Sequence, residues 1–465
     1  MQTTTRKLLN RKTLLGTGIA GLALATTGIA SAQSFDSGSS GDDGAFVATP
    51  EPGKTEVEFD PRRIHRNNDP NQPLIDYPER DNVFHFTTFT VPAGVTLRMS
   101  ARWTNGPVYI LVKGLPTMLS NDDIAVRITG IINLSGEDAA DMTHSANRGP
   151  AFPGPGGYYG GLGGNWDGTT GSRGQNGLGP FGGLGAPHNV AQHDGHRGQA
   201  AQGLIGGPEL VPLVGGSGGG GGNYPEFSWY GGGGGGGGGA LLISSNRRIH
   251  IDNQGRIYAG GGYGGQYNGC GSYFGGGGAG GSVRLVAPVV SGDGQIHTWP
   301  GLAAKGSCGP GAVPWTAPSG RVRLEAFQLN HRYTIPHGTS SYGSPLSSFV
   351  PATPPPVLRV SSVDGQPVAA NPTGSFDLAD VTINDSGAVE ITITAQNVPV
   401  VSGPNNTPTV PTLYLFSLEG KDLVLDASKG MTALAGNFAS STATVSAVLP
   451  PGFSRGYVRA SWTVP

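Results

Sequence analysis

The chain has 465 residues, of which 13% are charged, and its formal net charge is −2. This balance argues against a nucleic-acid-binding protein, because such proteins usually carry a clear excess of Lys and Arg. The length suggests two or three domains. Glycine is strongly enriched at 82 residues, whereas only two cysteines are present. A composition this rich in glycine requires a structural explanation of its own.

Residues 1–32 are predicted to be a secretory signal peptide. Four basic residues come first: Arg6, Lys7, Arg11 and Lys12. An apolar stretch (13–29) and the small residues of 30–32 follow, which is the pattern that signal peptidase cleaves. A membrane anchor fits less well because the apolar stretch is short and interrupted by glycines. We therefore expect cleavage after Ala32 and an exported chain (extracellular, cell-surface or periplasmic) without a membrane span.

Residues 33–80 are polar and are predicted to be a flexible N-terminal lead-in. Short runs rich in β-branched and aromatic residues follow, and apolar and polar positions alternate in them, which is typical of β-strands. Three of the later runs repeat one another: ALLISS (240–245), SVRLVA (282–287) and RVRLEA (321–326). A shorter pair, GRIYA (255–259) and GQIHT (294–298), repeats after 39 residues. Repetition at this period predicts a parallel β-helix, or solenoid, over residues 81–335.

The two cysteines, Cys270 and Cys308, lie 38 residues apart. This separation is close to the repeat period, so the two residues occupy nearly equivalent positions in neighbouring copies. In an exported protein this arrangement predicts one disulfide bond.

A glycine-rich insertion, 136–239, interrupts the predicted solenoid and includes an unbroken run over 231–239. Two interpretations are open. The insertion is a flexible segment, because glycine loses much conformational entropy on ordering, or parts of it pack as extended polyglycine strands against the solenoid. Partial order is the favoured interpretation.

A proline-rich linker (336–356) follows the last repeat. Residues 357–465 then contain five or more short alternating runs without helical periodicity, which predicts an immunoglobulin- or fibronectin-III-like β-sandwich. The predicted fold class is therefore all-β: a parallel β-helix with a glycine-rich insertion, followed by a C-terminal β-sandwich.

Two stretches, GGSVRLVAPVVSGDGQI (280–296) and GRVRLEAF (320–327), carry a family resemblance, together with FTVPAG (89–94). In these features the chain resembles exported, glycine-rich bacterial proteins whose repeat region is expected to form a parallel β-helix of the pectin-lyase-like type. The resemblance covers residues 83–465. It implies export and fold, and it brings no catalytic residue.

No catalytic constellation is recognised. Carboxylates do not recur in one column of the repeats, as a carbohydrate-active β-helix enzyme would require, so we predict no catalytic residue and no cofactor. The densest group of metal-ligating side chains lies in one polar loop: His188, His193, Asp194 and His196. Such a set is able to hold zinc, but its spacing matches no known motif, and a solvated loop is the preferred interpretation.

Candidate glycan-facing residues are Arg284, Arg323, Trp229 and Trp299. The two arginines occupy one column of the repeats, and the tryptophans offer flat apolar surfaces for sugar rings. The sequence thus predicts an exported, non-enzymatic structural or adhesive protein whose candidate partner is an extracellular polysaccharide or a cell-surface component. The alternative is a carbohydrate-active enzyme, either a polysaccharide lyase or a glycosidase. The sequence does not indicate the oligomeric state.

Overall fold

The structure is a computed structural model. It describes residues 34–75, 82–104, 106–139, 151–164, 174–186, 198–203, 207–223, 231–265, 274–303, 317–345, 356–369, 372, 379–403, 405–417 and 423–462. The chain divides into two compact units, Met1–Gln33 and Ser34–Pro465, and all described residues belong to the second.

The regular elements of the described chain are β-strands and two short 3-10 turns, Arg66–Asn68 and Ala427–Lys429. The first fourteen strands are β1 (Gly44–Val47), β2 (Glu56–Glu58), β3 (Val83–Val91), β4 (Thr96–Arg98), β5 (Val108–Val112), β6 (Ile124–Ile128), β7 (Ile131–Asn133), β8 (Ala240–Ser245), β9 (Arg248–Ile251), β10 (Arg256–Tyr258), β11 (Ser282–Gly292), β12 (Gln295–His297), β13 (Arg321–His331) and β14 (Thr339–Gly343). The strand-rich character agrees with the all-β prediction. In the part of the chain that the structure describes, no helix has the length and apolarity of a membrane span.

The largest sheet has nine strands and closes on itself, so the prediction of a parallel β-helix is wrong. Its strands follow the order β14-β13-β11-β8-β5-β3-β6-β9, with β1 added beside β3, and a further pairing joins β9 to β11. The pairings of this sheet are parallel. Strands β3, β5, β8, β11, β9 and β6 therefore form a closed ring of six parallel strands rather than a solenoid.

The ring closes because β3 and β11 each pair with two successive strands along their length. The first part of β3 pairs with β5 and its last part with β6, and β11 pairs in the same way with β8 and then β9. The chain is interrupted between β5 and β6, and again between β8 and β9, but it runs unbroken through β3 and β11. A sequence repeat indicates which copies pair and does not show where a strand is interrupted.

Within the ring and its extensions, the repeated strands pair in the register that their alignment predicts. Val283 lies opposite Leu241 on one side and Val322 on the other, and all three side chains are at most 1% exposed. In a second sheet, Ile257 lies opposite Ile296. Burying each such side chain contributes roughly 1.5–3 kcal/mol, so these columns hold neighbouring strands together.

The core continues into the predicted N-terminal lead-in. Strand β1 pairs with β3, and the Phe46 ring stacks on Phe89 with 4.9 Å between the ring centroids. Phe59, just after β2, packs edge-to-face against Phe84 at the same distance. These four rings are at most 3% exposed, and such aromatic pairs add about 0.5–1.5 kcal/mol beyond the area that they bury.

The glycine-rich zone is ordered wherever the structure describes it, and Gly231–Gly239 lies fully buried at its centre. Several neighbouring segments are hydrogen-bonded to Gly231–Gly239, with N···O distances of 2.7–3.0 Å. Five of its neighbours, in chain order, are 134–137, 158–164, 216–222, 262–265 and 276–279. Each of these five contacts residues of Gly231–Gly239 that are three positions apart. A period of three is typical of the extended polyproline-II conformation. We call this arrangement the glycine array, and its core is built from backbone hydrogen bonds.

The glycine array requires glycine because its segments approach each other too closely for a side chain. A Cβ atom on Gly234 would lie 1.9 Å from the carbonyl oxygen of Gly219. The array also extends past the predicted insertion, since 262–265 and 276–279 belong to the repeats. Of the two interpretations offered by the sequence, extended polyglycine packing agrees with the described segments.

The remaining strands are β15 (Val357–Val363), β16 (Gln366–Pro367), β17 (Ala388–Gln396), β18 (Val401–Ser402), β19 (Thr407–Pro408), β20 (Thr412–Ser417), β21 (Leu423–Leu425), β22 (Ala435–Gly436), β23 (Ser441–Val448) and β24 (Ser454–Arg459). They form the antiparallel sheets β16-β15-β17-β23-β22 and β21-β20-β24 and the hairpin β18-β19. Ile391 and Ile393 of the first sheet share a core with Leu413 and Leu425 of the second. The domain boundaries proposed from the sequence stay predictions.

Candidate functional site

A five-stranded parallel sheet, in the order β12-β10-β7-β4-β2, carries the candidate site. Each strand has only three residues. The middle residue is the most buried, and the two flanking residues are more exposed. The last residues of the five strands lie directly opposite one another across the sheet: Glu58, Arg98, Asn133, Tyr258 and His297. Neighbouring strands are about 4.8 Å apart, so these side chains form a continuous polar and aromatic column, which we call the outer column.

Three half-buried rings meet at the β12 end of the outer column. The ring centroids of Tyr258 and His297 are 5.2 Å apart, and Trp299 lies 5.0 Å from Tyr258 and 5.4 Å from His297. We call these three residues the ring cluster. A hydrogen bond of 2.9 Å between His297 Nε2 and Gln295 Oε1 fixes the imidazole. The Trp299 indole lies against the backbone of Gly260, where a Cβ atom would be 2.2 Å from its Nε1.

Arg256 lies in the same strand as Tyr258 and two residues before it, on the same face of the sheet. Its guanidinium donates to the carbonyl oxygens of Asn253 at 2.7 Å and Gly255 at 2.9 Å. Burial lowers the pKa of His297 below its ordinary value of 6.5, and the charges of Arg256 and His337 lower it further. The imidazole is therefore neutral at pH 7.

Glu58 and Trp103 occupy the other end of the outer column. The Trp103 indole N–H donates to Glu58 Oε2 at 3.1 Å, and the Arg62 guanidinium lies 4.4 Å from the centre of the Trp103 ring. Burial raises the pKa of the Glu58 carboxyl above its ordinary value of 4.5, although the Trp103 hydrogen bond and the charge of Arg98 oppose this shift. Although Glu58 is exposed as a residue, this end therefore holds a carboxyl group that gains a proton more readily than a free glutamate.

Two arginines near this end of the column are paired with a carboxylate. Arg102 donates two hydrogen bonds to Glu137, at 3.1 and 2.9 Å, and Arg98 lies 3.9 Å from the same carboxylate. The Arg102 guanidinium also lies 4.1 Å from the centre of the Phe152 ring. A bidentate pair of this kind fixes the side chains, so these arginines support the surface more than they offer charge to a ligand.

The four candidate glycan-facing residues do not come together. Trp299 belongs to the ring cluster, as described above. Arg284 and Arg323 lie on β11 and β13 of the nine-stranded sheet, and both Nε atoms donate to Glu325 Oε1 at 2.9 Å. The Glu325 side chain is only 6% exposed, so these three residues form a buried ion triad. Trp229 lies outside the described residues.

The other sequence candidates also lie outside the described residues. They are the metal candidates His188, His193, Asp194 and His196 and the predicted disulfide partners Cys270 and Cys308. Across the residues that the structure does describe, no three or more His, Cys, Asp or Glu side chains are grouped to hold a metal ion.

The sequence placed Arg256 near the aligned arginines of the repeats, as part of a stripe able to bind an acidic glycan. It did not single out Tyr258 and His297, although a signal for both was present. Aligning 255–259 with 294–298 places Tyr258 opposite His297, and the structure pairs the same two residues. The alignment alone did not show that Trp299, beyond the end of β12, turns back onto both rings.

Comparison of the chain with protein-family models, curated proteins and solved structures finds no match.

Proposed function

We propose that the protein is an exported, non-enzymatic structural or adhesive protein that binds glycans through the ring cluster. The observation that carries this proposal is the contact of three half-buried rings on the outer face of a polar sheet. Aromatic side chains provide large, rigid apolar surfaces at low entropic cost, and the apolar faces of pyranose rings are suited to such surfaces. Asn133 and Gln295, both half-buried, supply hydrogen-bonding groups beside the rings.

Two further features support the structural part of the proposal. The glycine array builds a closely packed core from backbone hydrogen bonds, which suits a rigid scaffold. The basic and apolar pattern of residues 1–32 supports export. Outside the cell, polysaccharides are abundant ligands.

A glycan array probed with the purified protein tests this function. Tyr258→Ala removes a ring that contacts both other rings of the cluster, so we expect at least a tenfold loss of affinity for whichever glycan the wild type binds. Tyr342→Ala is the matched control, because Tyr342 is a 51% exposed tyrosine on β14 of the other sheet, and its loss should leave affinity unchanged. Absence of glycan binding by the wild type, or equal losses in both variants, would refute the proposal.

A carbohydrate-active enzyme is the second candidate, and Glu58 is the observation that favours it. A general acid in glycoside cleavage needs a carboxyl group whose pKa is raised, and burial raises the pKa of Glu58. Release of reducing ends from polysaccharides that bind the protein tests this alternative. If wild type releases them and Glu58→Gln does not, the protein is an enzyme rather than a binding module.

A further inference from the structure

Arg256 places a positive charge beside the ring cluster. In the part of the chain that the structure describes, no carboxylate forms an ion pair with this charge. Its guanidinium is anchored by two backbone carbonyl oxygens, which accept hydrogen bonds but carry no full charge. Arg98 and Arg102 on the same face are both paired with Glu137, and Arg284 and Arg323 are paired with Glu325. Arg256 therefore differs from the other arginines discussed here in being held in place without being neutralised.

We propose that the ring cluster and Arg256 together form a site for an acidic glycan, in which a sugar ring stacks on Tyr258 and Trp299 and its carboxylate binds Arg256. This inference rests on the proposed function and names its ligand class. Residues two apart on one strand face are separated by about 7 Å, so the guanidinium lies within reach of a carboxylate attached to a sugar stacked on the rings. A charge-assisted hydrogen bond contributes more than a neutral one.

The charges around the site favour one orientation of the ligand. Within the five strands of this sheet the only carboxylates are Glu56 and Glu58, both on β2 at the opposite edge from β12. Asp252 and Asp293 lie in the turns before β10 and β12, so the end of these strands that carries the ring cluster is the end away from them. The acidic unit belongs over the ring cluster, and neutral units belong toward Asn133 and Arg98.

His297 adds a dependence on pH to this site. The titratable groups that influence it are Arg256 and His337, and both lower its pKa, as does burial. Because the pKa of His297 lies below 6.5, the imidazole gains its proton, and a second positive charge, only when pH falls below that lowered pKa. A sugar carboxylate stays ionised down to about pH 4. Affinity for an acidic glycan should therefore rise as pH falls through the lowered pKa of His297.

Polygalacturonate and its fully methyl-esterified form are matched probes, because they share the sugar ring and differ in charge. We expect wild type to bind the acid about tenfold more tightly than the ester, and Arg256→Gln to bring this ratio close to one while Arg256→Lys retains much of it. Arg127→Gln, which removes an exposed arginine from β6 of the other sheet, should leave the ratio unchanged. Thermal unfolding of each variant monitors folding.

Equal affinity for acid and ester, or a ratio that survives Arg256→Gln, would overturn the inference and leave glycan binding by the rings intact. A ratio that falls equally in Arg127→Gln would also overturn it, because nonspecific attraction would then explain the preference. Failure of the proposed function has a different signature, since the glycan array would then show no binding to either acidic or neutral sugars.

Discussion

Gly234→Ala should destabilise the protein strongly, although it adds a single methyl group. The new Cβ would lie 1.9 Å from the Gly219 carbonyl oxygen, whereas carbon and oxygen normally approach to about 3.3 Å. The two segments must therefore separate by about 1.4 Å. That shift weakens the hydrogen bonds from Gly161 N to Gly219 O, 2.8 Å, and from Gly219 N to Gly235 O, 2.9 Å.

The magnitude follows from three opposing contributions. Overpacking costs about 1–3 kcal/mol, and a buried polar group left without its partner costs about 1–3 kcal/mol more. Replacing glycine with alanine returns about 0.4–1 kcal/mol, because the unfolded chain becomes less flexible. The net expectation is a loss of about 1–6 kcal/mol in the free energy of unfolding, with about 3 kcal/mol as the central value.

Gly233→Ala, one residue away, is the matched control. A Cβ atom there meets only ordinary contacts, the nearest being the Ala139 Cβ at 3.4 Å. We expect this variant to unfold within about 1 kcal/mol of wild type, with any change toward greater stability. Urea titrations of wild type and both variants measure the difference. Equal stability of the two variants would refute the close packing of the glycine array.

Three further outcomes are expected. Gly260→Ala should displace the Trp299 indole and lower glycan affinity severalfold without changing any ring, and an unchanged affinity in the array assay would contradict the role given to Trp299. Glu325→Ala leaves two largely buried arginines, 12% and 16% exposed, without their counter-charge. It should cost up to about 3–5 kcal/mol on urea unfolding, and a neutral effect would show that the triad is not needed. The raised pKa of Glu58 means that the folded state binds its proton more tightly than the unfolded chain. This carboxyl therefore favours folding below its ordinary pKa of 4.5 and loses that contribution as pH rises through the folded-state pKa. Glu58→Gln should accordingly be more stable than wild type at pH 7, with the difference shrinking under acid, and thermal melts across this pH range measure it.

The repeat alignment predicted strand pairing well and closure badly. Leu241, Val283 and Val322 occupy equivalent positions in the repeats, and the structure places them in adjacent strands of one sheet. The closed ring depends instead on the unbroken length of β3 and β11, and the alternating pattern of a strand does not show where the chain will leave the sheet.

The glycine-rich zone was harder to interpret because its stability does not come from side chains. Hydrophobic periodicity is the main signal of secondary structure, and Gly231–Gly239 has none. Its order arises from hydrogen bonds to several segments that are distant in sequence, such as 134–137 and 276–279. A single segment therefore carries no local sign of the array.

The site was only partly predictable for a similar reason. Trp299 was selected as an exposed aromatic, but its partners Tyr258 and His297 gain meaning only when the strands are paired. Arg284 and Arg323 were selected because they align in the repeats, and the same alignment placed Glu325 opposite Val286. Residues two apart on a strand share a face, so the alternation also places Glu325 on the face of Arg323 and of its partner Arg284. The column comparison considered only residues directly opposite one another and so did not find this ion triad.

Hydroxyl-radical footprinting, with and without the glycan that binds most tightly on the array, tests the central claim most directly. The account predicts that Tyr258, His297 and Trp299 become protected when the glycan is present, while Tyr342 on the other sheet keeps its reactivity. Protection confined to residues away from the five-stranded sheet, with the three rings as reactive as before, would contradict it.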